Sequence, residues 1–173
     1  MHQCGFSPGG VNQKLIFKEE EKMYKKVLVP LDGSDLAGCV LDHVKALVKE
    51  GSAGEVTLFN VVKVDVRYAE LYGQNFDINA MREALFASAR KYLAKIESQL
   101  NSEGIKVKTE FLEANSPAYK ITEYAQENGM ELIIMGTHGY TGLKKMIMGS
   151  VASGVLNSSP VPVLLIRPES CRL

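Results

Sequence analysis

The sequence predicts a single α/β domain built around a parallel β-sheet. Short apolar runs rich in β-branched residues alternate along the chain with segments whose apolar residues recur at helical spacing. Strict alternation of strands and helices needs crossover connections, which produce a parallel sheet covered by helices on both faces. The length of 173 residues is that of one domain. We therefore expect a doubly wound, five-stranded sheet with strand order 3-2-1-4-5.

Five segments have the composition of strands. The first and fourth are continuous apolar runs, as expected of strands buried on both faces, and the third alternates between apolar and polar residues. The fifth lies among Pro160, Pro162 and Pro168, so we expect it at an edge of the sheet, where a missing N–H donor is tolerated. The predicted strands are residues 27–31, 55–64, 106–113, 132–135 and 161–166.

Four segments between these strands have helical periodicity. Ser34 or Asp35 is placed to cap the first helix, and we expect Gly51 and Gly54 to end it. Asn115, Ser116 and Pro117 form the start signal of the third. The fourth helix is predicted over residues 150–157. For the other three helices, helical spacing predicts these buried residues: in the first, Leu36, Val40, Leu41, Val44, Leu47 and Val48; in the second, Met81, Leu85, Ala89, Leu93, Ile96 and Leu100; in the third, Ile121, Tyr124 and Ala125.

Composition excludes several classes of function. Lys and Arg together number 20, as do Asp and Glu, so the net charge of zero gives no electrostatic case for nucleic acid or an anionic membrane as partner. No apolar run approaches the ~18 residues of a membrane span. The three cysteines are widely spaced without a CxxC pair, which favours a reducing cytoplasm. We expect residues 1–23 to be a disordered leader, 24–168 the domain and 169–173 a tail.

The most informative segment follows the fourth predicted strand. It contains Gly136, Gly139, Gly142 and Gly149, and it ends with Ser150 at the start of a predicted helix. Glycines allow backbone N–H groups to approach a polyphosphate closely, and a helix N-terminus adds unpaired N–H groups and a positive dipole end. The structural alternative is that these glycines only turn the chain. The spacing fits neither a Walker P-loop nor GxGxxG.

Asp32 follows the first strand at the opposite side of the expected crevice. In a sheet of order 3-2-1-4-5, ligands bind where the strand order reverses, between the first and fourth strands. A carboxylate at this point can accept hydrogen bonds from ribose hydroxyls. Its alternative role is an N-terminal cap for the next helix, and both roles can coexist.

These segments resemble the universal stress protein family, in its ATP-binding branch. The spacing Gly136-x2-Gly139-x9-Gly149-Ser150 is similar to that family's glycine signature, and residues 24–34 and 160–167 resemble its first and last strands. The resemblance covers residues 24–168 and implies an adenine nucleotide alpha hydrolase-like fold. It also implies a site for ATP, or for AMP or ADP, with Mg²⁺ or Mn²⁺ held by the phosphates rather than by protein ligands.

The resemblance also assigns roles to individual residues. Pro30, Leu31 and Asp32 would border the adenosine, with Asp32 on the ribose. The adenine would contact Val61 and Met135. The phosphates would be bound by Gly136, His138, Gly139, Gly149, Ser150 and Val151. Family members dimerise through the last strand, so we expect a homodimer. Asn60, where many members have His, and Ala152-Ser153, where many have an acidic residue, depart from the pattern without removing a phosphate contact.

The sequence leaves the activity open among three functions. The first is a nucleotide-binding regulatory or stress-response switch, the second a slow ATPase stimulated by a partner, and the third an interaction module with a vestigial site. His138 invites a catalytic role, since an imidazole ordinarily titrates near neutral pH, but a loop histidine beside phosphate or solvent is the simpler interpretation, so we assign no catalytic residue. Residues 65–79, with Tyr68, Tyr72 and Phe76, could form a lid or contact a partner.

Overall fold

The computed structural model describes residues 22–34, 37–65, 77–137 and 148–167. In these ranges strands and helices alternate. The elements, in chain order, are β1 (Tyr24–Pro30), α1 (Ala37–Lys49), β2 (Ala53–Val62), α2 (Ile78–Ser102), β3 (Val107–Glu113), α3 (Pro117–Glu127), β4 (Leu132–Gly136), α4 (Ser150–Ser158) and β5 (Val163–Ile166). Residues 1–21 of the predicted leader, the predicted tail, and residues 66–76, which include Tyr68, Tyr72 and Phe76, fall outside the described residues. No helix within the described ranges is long and apolar enough to cross a membrane.

The five strands form one parallel sheet with the order β3-β2-β1-β4-β5, which confirms the predicted fold class and topology. β1 lies at the centre and pairs with β2 on one side and with β4 on the other. The fifth strand occupies an edge, as its prolines predicted. The order therefore reverses at β1, and the crevice expected at such a point lies between the carboxyl ends of β1 and β4.

Alternate residues of the strands pack against two different helix pairs. One face of the sheet packs on α1 and α2, and its buried cluster includes Val29, Leu31, Val44, Leu58 and Leu93. The other face packs on α3 and α4, and its cluster includes Leu28, Phe59, Ile121, Ile133 and Val155. Because the central strands are apolar on both faces, burial on both sides holds them at the middle of the molecule.

The structure corrects one glycine prediction. Gly51 follows α1 with a φ of 76°, but Gly54 lies within β2 and does not end the helix. A Cβ atom built on Gly54 would lie 2.4 Å from the carbonyl oxygen of Lys25 in β1. Gly54 therefore allows the close approach of two neighbouring strands, a contact that helical periodicity does not reveal.

The second helix begins earlier than predicted. α2 starts at Ile78 rather than Ala80, and Asp77 is its N-cap. The Asp77 carboxylate accepts hydrogen bonds from the backbone N–H groups of Asn79 at 2.9 Å and Ala80 at 3.0 Å. Asp77 thus satisfies two of the amides that a helix N-terminus leaves without an intrahelical acceptor.

Candidate functional site

The carboxyl ends of β1, β2 and β4 lie side by side at one end of the sheet. The N–H of Leu31 donates to the carbonyl of Phe59 in β2 over 2.8 Å, and the N–H of Thr137 donates to the carbonyl of Ile166 in β5 over 2.9 Å. These bonds hold the first residue after β1 and the first residue after β4 against their neighbouring strands. Both flanks of the crevice therefore leave the sheet from fixed positions.

Asp32 lies at this end of the sheet, immediately after Leu31, and is exposed. Its Oδ1 atom accepts hydrogen bonds from the Ser34 hydroxyl at 2.7 Å and the Ser34 backbone N–H at 3.1 Å. Gly33, between them, has a φ of 85°, which suits a tight turn that a residue with a Cβ rarely adopts. The turn orients the Asp32 carboxylate beside the end of β1, where the sequence predicted it.

Two of the predicted adenosine residues, Val61 and Met135, share one face of the sheet with the predicted phosphate residue Val151, and Leu31 lies on the other face. Met135 is buried in the cluster under α3 and α4, and Val61 and Val151 pack against the same cluster. Leu31 is 4% exposed and packs on the opposite face, against α1 and α2. Pro30, partly buried, is the last residue of β1. Val61 of β2, Met135 of β4 and Val151 of α4 are therefore apolar residues on one face of the sheet, near the carboxyl ends of the strands.

An aromatic pair extends this apolar face along β2. Tyr124 of α3 stacks on Phe59, with ring centroids 4.4 Å apart and an angle of 26° between the rings. Burial is the main cause that raises the pKa of the Tyr124 phenol above its ordinary value. The phenol therefore stays neutral at physiological pH.

A hydrogen bond joins the two ends of the glycine segment, residues 136–150. The N–H of Gly149, the N-cap of α4, donates to the carbonyl of Thr137 over 2.7 Å. The first N–H of this helix with an intrahelical acceptor is that of Ser153, which donates to Gly149. By helix geometry, the N–H groups of Ser150 and Val151 precede this point and have no acceptor within the helix. The positive end of α4 therefore lies next to the exit of β4.

Some predicted phosphate residues fall outside the described part of the chain. His138 and Gly139 belong to residues 138–147, of which the structure describes nothing. Gly136, the last residue of β4, and Gly149 are partly buried, and Ser150 is exposed. Among the described residues, no group of three or more His, Cys, Asp and Glu side chains is arranged to hold a metal ion.

Sequence reasoning missed the role of Asn60. We noted it only as a departure from the family pattern, but its side chain is buried, and its Nδ2 atom donates to the carbonyl of Leu31 over 2.6 Å. The available signal was a lone amide inside the otherwise apolar end of the second strand. A buried amide needs a hydrogen-bond partner, and here the partner lies at the exit of β1.

Comparison with known proteins places the chain in a family. The model of the universal stress protein family matches residues 23–167. The chain belongs to that family. Universal stress protein MJ0531 of Methanocaldococcus jannaschii is 34% identical over 152 residues, which are 88% of this chain and 87% of the relative. This confirms the resemblance inferred from the glycine spacing and the two strand segments.

Solved structures of universal stress proteins have the same fold. Hypothetical protein MJ0577 of M. jannaschii superposes with a TM-score of 0.72 at 35% identity, over 84% of this chain and 96% of that one. Two more distant neighbours, each 16% identical, carry nucleotides. One is a universal stress protein in complex with cAMP, with a TM-score of 0.63 over 86% of this chain and 100% of that one. The other, from Arabidopsis thaliana, has AMP bound, with a TM-score of 0.61 over 84% and 93%.

Proposed function

We propose that this universal stress protein binds ATP in the crevice between β1 and β4 and acts as a regulatory or stress-response switch. The observation that carries the proposal is the bond from the Gly149 N–H to the Thr137 carbonyl. It holds the N-terminus of α4 beside the exit of β4, where a phosphate chain would find backbone donors and a positive helix dipole. Since the Gly149 N–H already has this acceptor, we assign phosphate donation to the amides of Ser150 and Val151 and to the Ser150 hydroxyl.

The adenosine end of the ligand fits the other side of the crevice. A purine ring is flat and apolar on its faces, and the surface formed by Val61, Met135 and Val151 is apolar. The Asp32 carboxylate, oriented by its turn with Ser34, would accept hydrogen bonds from the ribose hydroxyls. The proposed order along the crevice is therefore adenine over β2 and β4, ribose at the end of β1, and phosphates at α4.

Two neighbours with the same fold support adenine nucleotides as the ligand class, since one is a cAMP complex and the other has AMP bound. The choice of ATP over these nucleotides rests on the spacing Gly136-x2-Gly139-x9-Gly149-Ser150, which is similar to that of the ATP-binding branch of the family, and on the N-terminal amides of α4. Mg²⁺ or Mn²⁺, when present, would be coordinated mainly by the phosphates and water.

The decisive experiment measures nucleotide affinity by isothermal titration calorimetry for the wild type and for Gly149→Leu. Gly149 has φ −70° and ψ 157°, an extended conformation open to any residue, so the leucine strains no backbone. Its side chain would stand at the phosphate end of the crevice. We expect ATP affinity to fall by about tenfold or more, a loss of ~1.4 kcal/mol or more.

The matched control is Ser116→Leu at the N-cap of α3. Ser116, like Gly149, caps its helix without a side-chain hydrogen bond, so the same leucine is placed at a second helix start on the same face of the sheet. The control should bind ATP as the wild type does. Unchanged affinity in Gly149→Leu would remove the phosphate role of α4, and no adenine-nucleotide binding by the wild type would refute the proposed function.

We also propose that the protein is a homodimer formed through β5. The two edges of the sheet differ, since β3 exposes the charged side chains of Lys108 and Glu110, whereas β5 exposes Leu164. Charges on an edge strand discourage pairing with another sheet, and an apolar edge invites it. Pairing of β5 with its copy about a two-fold axis would close this edge.

A further inference from the structure

Asn60 is one of three polar residues that are buried among the described residues, with Thr57 and Thr122. It lies in β2 opposite Phe111 of β3 and is 8% exposed. Burial of a primary amide in an apolar strand costs free energy unless its polar atoms are hydrogen-bonded. The hydrogen bond that Asn60 makes is therefore a structural requirement, and its partner indicates what the residue does.

The partner is the backbone at the exit of β1. Pro30 is the last residue of β1 and pairs with Phe59, and the N–H of Leu31 still donates to the carbonyl of Phe59. The carbonyl of Leu31 accepts from Nδ2 of Asn60 over 2.6 Å. Both backbone polar groups of Leu31 are therefore bonded to β2, and the second bond comes from a side chain rather than from the sheet ladder.

This bond fixes the peptide group that leads into Asp32. The carbonyl of Leu31 and the N–H of Asp32 belong to one planar trans peptide, so the two groups point in opposite directions. Because the carbonyl is held by Asn60 of β2, the N–H of Asp32, on the other side of the same peptide, faces away from Asn60. Together with the turn to Ser34, the direction of this peptide sets the position from which the Asp32 carboxylate projects.

We infer that Asn60 is a positioning residue for the adenosine end of the site, acting through the Leu31 carbonyl on Asp32. The inference rests on the proposed nucleotide binding. Successive side chains of a strand point to opposite faces, so Asn60 lies on the α1–α2 face and Val61 on the face of the proposed adenine surface. Asn60 therefore controls the ribose contact without touching the ligand.

Loss of the Asn60 donor has a specific consequence. The Leu31 carbonyl would remain at the end of β1 without this partner, and its peptide could rotate, which would displace Asp32. The phosphate end of the site, at α4, depends on the Gly149–Thr137 bond and would be unaffected. Substitution of Asn60 should therefore weaken the contact with the ribose and leave the contacts with the phosphates unchanged.

Asn60→Asp tests the positioning role directly. It keeps the shape of the side chain and places a carboxylate oxygen, an acceptor, where the Nδ2 donor faced the Leu31 carbonyl. Calorimetry should show AMP affinity lower by about tenfold. Tripolyphosphate competes with ATP for the phosphate end of the site. Its inhibition constant should therefore differ between the variant and the wild type much less than the AMP affinity does. Comparable weakening of AMP and tripolyphosphate, or unchanged AMP affinity, would overturn the inference.

Thr122→Val is the matched control for loss of a buried polar group. The Thr122 hydroxyl donates to the carbonyl of Tyr119 within α3, away from β1. This variant should lose stability in urea denaturation and keep the AMP affinity of the wild type. If Thr122→Val weakens AMP binding as much as Asn60→Asp, the effect is general destabilisation and the positioning role is refuted.

A measurement on the wild type covers the case in which Asn60→Asp does not fold. In nitrogen-15 NMR spectra, AMP should shift the side-chain amide signals of Asn60, and tripolyphosphate should leave them in place. Asn60 signals that do not respond to AMP would overturn the inference while leaving nucleotide binding intact. A wild type that binds no adenine nucleotide would overturn the proposed function itself.

Discussion

At the scale of single residues, a carboxylate that ends a strand can serve the local turn, a ligand, or both. Asp32 accepts two hydrogen bonds from Ser34, and Asp77 accepts two from the amides of α2. Local bonding alone therefore does not distinguish a binding residue from a cap. The distinction depends on position, because Asp32 follows the central strand at the point where the strand order reverses and Asp77 precedes α2.

Replacement of Asp32 tests its proposed contact with the ribose. We expect the wild type to bind ATP more tightly than 2′-deoxy-ATP or 3′-deoxy-ATP. The difference should be about tenfold for the nucleotide that lacks the hydroxyl donating to Asp32. Asp32→Ala should bind ATP more weakly and bind the corresponding deoxynucleotide almost as well as ATP. Competition titrations with a fluorescent adenine nucleotide measure both ratios.

Asp77→Ala is the control for loss of a capping carboxylate. It should lower the free energy of unfolding by about 1 kcal/mol, because α2 loses its N-cap. Its preference for ATP over the deoxynucleotides should be that of the wild type. Discrimination that persists in Asp32→Ala would show that the ribose is bound elsewhere.

The residue scale also shows how far sequence could predict the site. Asp32, Gly136 and Gly149 were placed correctly at the ends of elements, because strand ends follow from apolar runs and glycine breaks. The bond from Gly149 to Thr137 and the bond from Asn60 to Leu31 were not predicted. Each joins residues brought together by the tertiary fold, and periodicity carries no information about such pairs.

At the scale of elements, α3 and α4 pack unusually closely. A Cβ atom built on Gly154 of α4 would lie 2.7 Å from the Cβ of Ala118 in α3, which is too short for two carbon atoms. Gly154 therefore sets the distance between these helices. Since Ser150 is the first residue of α4, this helix contact links core packing to the proposed phosphate end of the site.

A pair of substitutions tests this contact. Gly154→Ala should lower the free energy of unfolding by about 1–3 kcal/mol through overpacking, and Ala118→Gly should restore part of that loss in the double variant. Ala118→Gly alone should cost up to ~1 kcal/mol in helix propensity. Urea denaturation of the four proteins gives the interaction energy, and ATP affinity should follow the same pattern. Strictly additive free energies would contradict the close contact.

Elements were predicted more completely than their contacts. Strand order, the edge position of β5 and the buried residues of α1 followed from alternation, proline content and helical periodicity. The start of α2 and the role of Gly54 did not. Asp77 lies in a polar, irregular stretch, residues 65–79, in which the sequence predicted no helix start. The close approach of β1 to β2 at Gly54 depends on how the two strands pair.

At the scale of the whole molecule, the two edges of the sheet differ in chemistry. On β3, Lys108 forms an ion pair with Glu55 of β2 at 2.7 Å, so this edge carries paired charges. On β5, Leu164 is 38% exposed between two partly buried neighbours. An exposed apolar side chain on an edge strand favours association with another chain, whereas charged side chains on an edge strand oppose it.

Leu164→Lys tests the proposed dimer. A lysine at this position would place two ammonium groups near each other across a two-fold axis and remove apolar area from the interface. We expect light scattering coupled to size exclusion to give twice the chain mass of 19.0 kDa for the wild type and a value near 19.0 kDa for the variant. Glu110→Lys, on the exposed face of the opposite edge, should leave the mass unchanged. A wild type that elutes as a monomer, or a Leu164→Lys variant that keeps the full dimer mass, would exclude β5 as the dimer contact.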